Sequence, residues 1–146
     1  MSWDAHVDDI MQPDNVIDCA IVGCLPGQEL MWGSFKDGTF RNITSAEVKA
    51  LMTSERSSLL SNGVTLGNIK CTVLRDMLFD PDSDTDTGTG TMDLRTKATG
   101  NEPTYCICVV KTKTALVFVK GKPDSHGGNL NVVADKKVSY LKSCGY

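Results

Sequence analysis

Residues 104–120 read Thr-Tyr-Cys-Ile-Cys-Val-Val-Lys-Thr-Lys-Thr-Ala-Leu-Val-Phe-Val-Lys, two apolar runs on either side of a short polar connection. Runs of this length that are rich in β-branched residues are typical of buried strands. The connection Lys111-Thr-Lys-Thr114 is short enough to reverse the chain, so the two runs predict neighbouring antiparallel strands. Together with two earlier runs they predict a β meander with strands Ile69 to Phe79, Thr89 to Thr96, Thr104 to Lys111 and Thr114 to Lys120.

The remaining sequence adds a hairpin and three helices to this meander. Ile17 to Cys24 and Glu29 to Phe35 flank a Pro-Gly turn and predict a hairpin, while Asn62-Gly63 and Leu66-Gly67-Asn68 predict turns. Apolar residues recur at helical spacing over residues 2–12, where Ser2 is the expected N-cap, and from about Leu130 to Ser143. Thr44-Ser-Ala-Glu47 is a capping box that opens a helix through about Met52. We therefore expect a single α+β domain spanning residues 1–146.

Composition and cysteine usage indicate a cytosolic globular chain. Hydrophobic residues make up 40% and charged residues 23% of the sequence. No apolar run approaches the roughly 18 residues that a membrane span needs, and the first residues lack the pattern of a signal peptide. The six cysteines are therefore expected to be reduced thiols. Because no Cys-x-x-Cys pair or histidine cluster accompanies them, we interpret them as small buried hydrophobes, not as zinc ligands.

Charge is distributed unevenly along the chain. Residues 1–93 hold 6 basic and 15 acidic side chains, whereas residues 94–146 hold 9 basic and 3 acidic ones. The C-terminal part is thus a candidate surface for an acidic partner, and the alternative is ordinary solvated strand edges and a polar helix face. A sequence pI of about 5.3 argues against nucleic acid as the main ligand.

Aromatic residues stand at both ends of the chain, at Trp3, Tyr140 and Tyr146, although the whole sequence has only nine. Chain ends normally fray, so large rings at both ends suggest that both ends are docked. With Trp32 nearby, they would form an aromatic strip of the kind that binds extended proline-rich peptides. The alternative is that each ring caps a core locally.

The sequence shows no recognisable enzyme motif and no convincing metal site. It contains no P-loop, no dinucleotide-binding glycine pattern, and no Gly-x-Ser-x-Gly or His-Glu-x-x-His motif. Asp82, Asp84, Asp86 and Asp93 imitate the spacing of a calcium-binding loop. Thr87 occupies the position that needs glycine, and strands are expected on both sides where helices should stand. A solvated hairpin tip is therefore the favoured interpretation.

Seven ordered segments resemble the profilin family, in its animal, vertebrate-type form, and the resemblance covers essentially the whole chain. These segments are Ser2-Trp-Asp-Ala-His-Val-Asp-Asp9, Asn42-Ile-Thr-Ser-Ala-Glu-Val48, Arg56-Ser-Ser-Leu59, Asn62-Gly-Val-Thr-Leu-Gly-Asn-Ile-Lys-Cys71, Met92-Asp-Leu-Arg-Thr-Lys97, Lys111-Thr-Lys-Thr-Ala-Leu-Val117 and His126-Gly-Gly128. The resemblance implies a central antiparallel sheet with both terminal helices on one face and a short internal helix on the other. It also implies a cytoskeletal binding protein, not an enzyme, that regulates actin polymerisation without a cofactor.

The resemblance implies three ligands: monomeric actin, proline-rich segments of regulators such as formins, and phosphatidylinositol bisphosphate. The implied polyproline-binding residues are Trp3, His6, Trp32, Tyr140, Leu141 and Tyr146. The implied actin-binding residues are Lys70, Val73, Arg75, Arg95, Lys97, Thr104, His126, Gly128 and Asn131. The implied phosphoinositide-binding residues are Arg95, Lys97 and Lys142. A pure proline-peptide adaptor with weak or no actin affinity is the alternative function.

Several positions depart from the family pattern. His6 stands where relatives usually have tyrosine, Cys106 replaces a polar residue, and Lys142-Ser143 replaces an arginine pair, which predicts weaker lipid binding. The segment from Asp80 to Gly90 is about six residues longer than in the vertebrate relatives and carries four aspartates. We expect a mobile anionic tip that slows association with acidic partners at low salt, so that shortening residues 81–86 raises the actin association rate. The alternative is a surface insertion without effect.

Overall fold

The fold is built on one antiparallel sheet of seven strands in the order β2-β1-β7-β6-β5-β4-β3. It comes from a computed structural model that describes residues 3–79, 90–97, 100–123 and 127–146. The strands are β1 Val16–Gly23, β2 Met31–Ser34, β3 Val64–Leu66, β4 Ile69–Met77, β5 Thr91–Thr96, β6 Cys106–Lys111 and β7 Ala115–Gly121. The predicted hairpin corresponds to β1 and β2, and the predicted meander to β4 through β7. β1 pairs with β7, which joins the hairpin to the meander.

Helices cover both faces of this sheet. The helices are α1 Trp3–Ile10, α2 Ser45–Leu51, α3 Arg56–Asn62 and α4 Gly127–Ser143, with a 3-10 turn at Phe40–Asn42. α1 and α4 pack on one face, and α2 and α3 lie on the other, which confirms the α+β class and the placement of the terminal helices. The capping box is also confirmed, because the Thr44 hydroxyl accepts from the Glu47 amide while the Glu47 carboxylate accepts from the Thr44 amide.

Each face of the sheet has its own apolar core. Beneath α2 and α3 the core includes Phe40, Leu51 and Phe118, and beneath α1 and α4 it includes Ile10 and Leu130. Cysteines contribute to both cores. Cys19, Cys24, Cys71, Cys106 and Cys108 are buried free thiols, as expected, but Cys144 is exposed. The interpretation of all six cysteines as buried hydrophobes is therefore wrong at Cys144.

Besides the 3-10 turn at Phe40–Asn42, two short elements were not predicted. The first is α3. It buries only Leu59, so it lacks the apolar periodicity that identifies a helix in sequence, and it also lacks a side-chain N-cap. It is held instead by Arg56, which donates two hydrogen bonds to Asp76 of β4 at 2.8 and 2.9 Å. The expectation of one internal helix on this face is therefore corrected to two. The second is β3, which has three residues and pairs with β4.

β3 and β4 are joined by the tightest turn in the described chain. Gly67 and Asn68 both have positive φ values, of 59° and 69°, as a two-residue hairpin turn requires. A side chain at position 67 would place its Cβ 2.3 Å from the Thr39 carbonyl oxygen, so glycine is needed there for a second reason. The predicted turn is thus confirmed, whereas β3, which precedes it, is too short to show a strand pattern in the sequence.

Neither a membrane-spanning helix nor a metal-binding cluster is present among the residues that the structure describes. None of the helices among residues 3–79, 90–97, 100–123 and 127–146 is long and apolar enough to cross a membrane. In the same ranges, no group of three His, Cys, Asp or Glu side chains could hold a metal ion. Asp82, Asp84 and Asp86 lie outside the described residues, as do the Ser2 cap and the acidic segment 81–86.

Candidate ligand-binding surfaces

Five rings from four parts of the chain form one continuous cluster, which we call the aromatic strip. It consists of Trp3 and His6 from α1, Trp32 from β2, Tyr140 from α4 and Tyr146 at the C-terminus. Trp3 is central, with ring centroids 5.2 Å from His6, 4.8 Å from Trp32 and 5.1 Å from Tyr146. Tyr140 joins through His6 at 5.5 Å, and Trp32 lies 5.7 Å from Tyr146. The structure thus brings together rings that are up to 143 positions apart in sequence.

Both chain ends are docked, as the terminal rings suggested. The carbonyl oxygen of Tyr146 accepts hydrogen bonds from the Thr114 amide at 3.2 Å and the Thr114 hydroxyl at 3.0 Å. At the other end, α1 approaches β2 closely at Gly33, where an added Cβ would lie 3.1 Å from both the Trp3 Cβ and a Val7 methyl group. Glycine at this position therefore lets α1 carry Trp3 down onto Trp32.

The strip exposes ring faces unevenly. Tyr140 and Tyr146 are 42% and 41% exposed, Trp3 and Trp32 are half-buried, and His6 is 9% exposed. Leu141, the sixth predicted polyproline-binding residue, is fully buried. It therefore supports α4 from beneath instead of presenting apolar surface to a ligand.

His6 is held by an ion pair between the two terminal helices. The Lys137 ammonium, whose side chain is 8% exposed, donates to His6 Nδ1 at 3.2 Å and lies 2.7 Å from an Asp9 carboxylate oxygen. Burial, together with the positive charge of Lys137, lowers the pKa of His6, and Asp9 opposes the shift. The hydrogen bond from Lys137 lowers the pKa of Asp9 in turn. Neither Asp9 nor Lys137 was singled out in the sequence, because only the packing of α1 on α4 brings them to His6.

The predicted actin-binding residues that are described lie mainly on β4 and β5. Lys70, Arg75 and Lys97 are exposed, and the backbone amide of Lys97 donates to the Lys70 carbonyl at 3.0 Å. Arg95 is half-buried, because its guanidinium donates to the Thr104 hydroxyl at 3.0 Å and to the Cys106 sulfur at 2.7 Å. These four side chains therefore provide a cationic surface, although the Arg95 guanidinium is already hydrogen-bonded within the chain.

Val73 does not reach that surface. It is 5% exposed and belongs to the core beneath α2 and α3, so its assignment as an actin contact is corrected. A register shift in β4 between Val73 and Arg75 breaks the alternation of faces, and Leu74 is 57% exposed. Leu74, and not Val73, is therefore the apolar side chain that β4 exposes at this position. The alternation of the sequence alone could not locate the bulge.

The remaining predicted positions lie in and before α4. Gly128 is in the first turn of α4, Asn131 follows it and is half-buried, and His126 lies outside the described residues. Lys142 is half-buried in the last turn. Burial raises the pKa of Asp135, Lys142 lowers it, and the negative charge of Asp93 on β5 raises it. The positive charge of Lys142 therefore partly offsets the effects of burial and of Asp93 on Asp135.

Comparisons with known proteins agree along the whole chain. A family model described as Profilin matches residues 1–146. The chain is 40% identical over 145 residues to Profilin-2 of Rattus norvegicus, covering 99% of this chain and 98% of the relative. It is also 40% identical over 144 residues to Profilin-1 of Homo sapiens, with 99% and 98% covered. Its fold is similar to the structure described as mouse profilin IIa in complex with a double repeat from the FH1 domain of mDia1, with a TM-score of 0.90, 37% identity and 100% of both chains covered.

Proposed function

Because this chain belongs to the profilin family, we propose that it binds monomeric actin, regulates actin polymerisation and links actin to proline-rich segments. The observation that carries the proposal is the aromatic strip, in which the Trp3 ring makes tilted and edge-on contacts with three other rings on a docked pair of chain ends. We propose that the protein acts by binding alone, in the cytoplasm and on the cytoskeleton.

The chemistry of the strip suits a polyproline II helix. Such a segment has no backbone N–H groups at its prolines, so it presents carbonyl acceptors and apolar ring faces only. The strip offers the complementary groups, namely flat ring faces together with indole N–H, imidazole N–H and phenol O–H donors. Because the peptide helix is preformed, binding costs little conformational entropy. The mouse relative in complex with an FH1 repeat supports a formin-type segment as the ligand.

Actin binding is assigned to the cationic strands and the start of α4. Lys70, Arg75 and Lys97 are exposed cations, and Leu74 adds apolar area between them. Cations and a small apolar patch suit an acidic partner surface, because electrostatic attraction speeds encounter and the apolar contact slows dissociation. Thr104, Gly128 and Asn131 remain predicted contacts.

Phosphoinositide binding is proposed as the weaker activity. Arg95 lies on β5 and Lys97 directly follows it, and both are also proposed actin contacts, so lipid headgroups and actin should compete for them. Lys142 lies in the last turn of α4, on a different element from these cations, and lysine lacks the bidentate phosphate contacts of arginine.

One observation favours the alternative of a proline-peptide adaptor with weak actin affinity. The Arg95 guanidinium is already hydrogen-bonded to Thr104 and Cys106, so it would have to give up or share those bonds to reach a partner. By contrast, the two tyrosine rings of the aromatic strip are 42% and 41% exposed, although the Lys137 ammonium lies 5.4 Å from the centroid of the Tyr140 ring.

A pyrene-actin assembly assay with and without a formin-type proline-rich segment separates these functions. A working profilin lowers spontaneous assembly and, when the proline-rich segment is present, delivers actin to growing filaments. An adaptor binds the segment but leaves spontaneous assembly unchanged. Absence of binding to the proline-rich segment would overturn the assignment of the aromatic strip.

A further inference from the structure

We propose that Asp9 and Lys137 are positioning residues of the peptide site, which hold His6 as a neutral ring that presents its Nε2–H donor to a peptide carbonyl. This inference rests on the proposed function of the aromatic strip. It assigns a role to two charged side chains that present no ring to a ligand, and it explains how histidine can serve at a position in the middle of the strip.

The contact with Lys137 determines which nitrogen of the His6 ring carries the proton. A lysine ammonium has only donors, so Nδ1 of His6, which lies 3.2 Å from the Lys137 ammonium, must be the acceptor. A neutral imidazole that accepts at one nitrogen is protonated at the other. His6 is therefore held as the Nε2–H form, with a donor and not a lone pair at its free edge.

The surroundings of His6 Nε2 determine whether this donor can reach a ligand. Within the described residues, Nε2 of His6 has no hydrogen-bond partner, yet it is not among the fully buried unpaired atoms, which comprise only Asp18 Oδ1. His6 and Tyr140 both line a cleft of about 640 Å³ between α1 and α4, together with Asp9 and Lys137. His6 thus stands where this cleft meets the rings of Trp3 and Tyr140, within reach of a ligand that lies along the strip. A chain of proline carbonyls needs donors of this kind.

Asp9 serves as the counterion of Lys137. Lys137 is 8% exposed, so its charge would be costly without a counterion. The Asp9 carboxylate, at 2.7 Å, supplies that counterion while its own side chain stays 65% exposed. The pair therefore fixes the ammonium between helices α1 and α4, and the ammonium fixes the orientation of the His6 ring.

The charged and titratable groups around His6 come from both helices. Lys137 and Tyr140 face it from α4, Asp9 faces it from α1, and the positive charge of the amino terminus acts in the same direction as Lys137. Removing the Lys137 charge should therefore raise the pKa of His6, which gives a readout that is independent of ligand binding.

The test measures decaproline affinity by tryptophan fluorescence in a double-mutant cycle of Lys137→Met and His6→Phe. We expect Lys137→Met to weaken binding by about 3- to 10-fold, the effect of losing one well-placed hydrogen bond. In the His6→Phe background, Lys137→Met should have no further effect. Asp9→Asn should weaken binding less. Exposed side chains that do not line the cleft give matched controls, Lys49→Met on α2 and Asp8→Asn on α1, which should leave affinity unchanged.

Nitrogen-15 NMR of the histidine rings supplies the second measurement. In the unchanged protein at neutral pH, His6 should show an unprotonated Nδ1 and a protonated Nε2, and Lys137→Met should give mixed tautomers and a higher His6 pKa. A dominant Nδ1–H form would overturn the inference, as would equal losses of affinity from Lys137→Met with and without His6. If the unchanged protein does not bind decaproline, the proposed function fails, while the NMR spectrum still decides whether Lys137 fixes the ring.

Discussion

Two buried lysines on opposite faces of the sheet have different surroundings and different consequences. Lys120, 7% exposed, lies beneath the 3-10 turn, where it donates to the Thr39 hydroxyl at 2.9 Å and stands 3.9 Å from the buried Asp18 carboxylate. Lys137, 8% exposed, lies between α1 and α4 and pairs at 2.7 Å with an Asp9 side chain that is 65% exposed. The two lysines are equally buried, but the partner of Lys120 is itself buried, whereas the partner of Lys137 is mostly exposed. Lys120 is expected to matter for stability and Lys137 for binding.

The buried pair of Asp18 and Lys120 holds the 3-10 turn against the sheet. Asp18 accepts from the Thr39 amide at 2.8 Å and the Phe40 amide at 3.0 Å, so the carboxylate holds the turn while Lys120 balances its charge. Burial lowers the pKa of Lys120 and raises that of Asp18. Both shifts reflect the desolvation cost that burial imposes on the two charges, which their mutual attraction partly offsets.

The largest expected effect is that of Lys120→Met on stability. Removing one partner of a buried pair leaves the other uncompensated, so the free energy of unfolding should fall by about 3–5 kcal/mol. Urea denaturation at pH 7 measures this, with the exposed Lys122→Met as control. Decaproline affinity under native conditions should be unchanged. A loss below about 1 kcal/mol would show that Asp18 can become neutral without disturbing the turn.

The next largest effect is that of Trp3→Ala on peptide binding. Trp3 contacts three other rings of the strip, so losing the indole should cost on the order of 2–4 kcal/mol of polyproline affinity and abolish retention on a polyproline column. Actin binding should remain nearly intact. Phe79→Ala, another exposed aromatic outside the strip, is the control. Normal retention of a folded Trp3→Ala protein would contradict the assignment of the strip.

Salt should separate the two ligand surfaces. Polyproline is uncharged, so its affinity should change less than about twofold between low and physiological ionic strength. The complex with monomeric actin should weaken severalfold over the same range, and Lys97→Met should reduce that dependence, because exposed cations drive the encounter. Titrations at several salt concentrations measure both. An actin affinity that is independent of salt would show that these cations are not the contact.

The smallest expected effect is the pH dependence that His6 contributes to stability. The pKa of His6 is lowered on folding, so the unfolded chain binds the proton more readily. The contribution of His6 is therefore fully present above the unfolded pKa of about 6.5 and is lost as pH falls through the folded value. His6→Phe should flatten the fall in unfolding free energy between pH 7 and 5. Identical pH profiles for both proteins would refute this linkage.

Much of the fold follows from local sequence patterns. Residues 104–120 predicted two neighbouring strands because apolar runs and a short polar connection are local signals, and β6 and β7 confirm them. The capping box at Thr44 and Glu47 was equally readable, because both of its hydrogen bonds join residues three positions apart. By contrast, α3 and β3 are stabilised by contacts with β4, which no local pattern records.

The sequence by itself determined the rings, the cations and the family to which this chain belongs. Tertiary structure alone decided which of those side chains reach the surface. Leu141 and Val73 were assigned to ligand surfaces by position, but helix packing buries the first and strand register buries the second. The ion pair of Asp9 with Lys137 joins residues 128 positions apart. Its existence depends on how α1 packs against α4, because side chains so distant in sequence meet only when the whole sheet has folded between them.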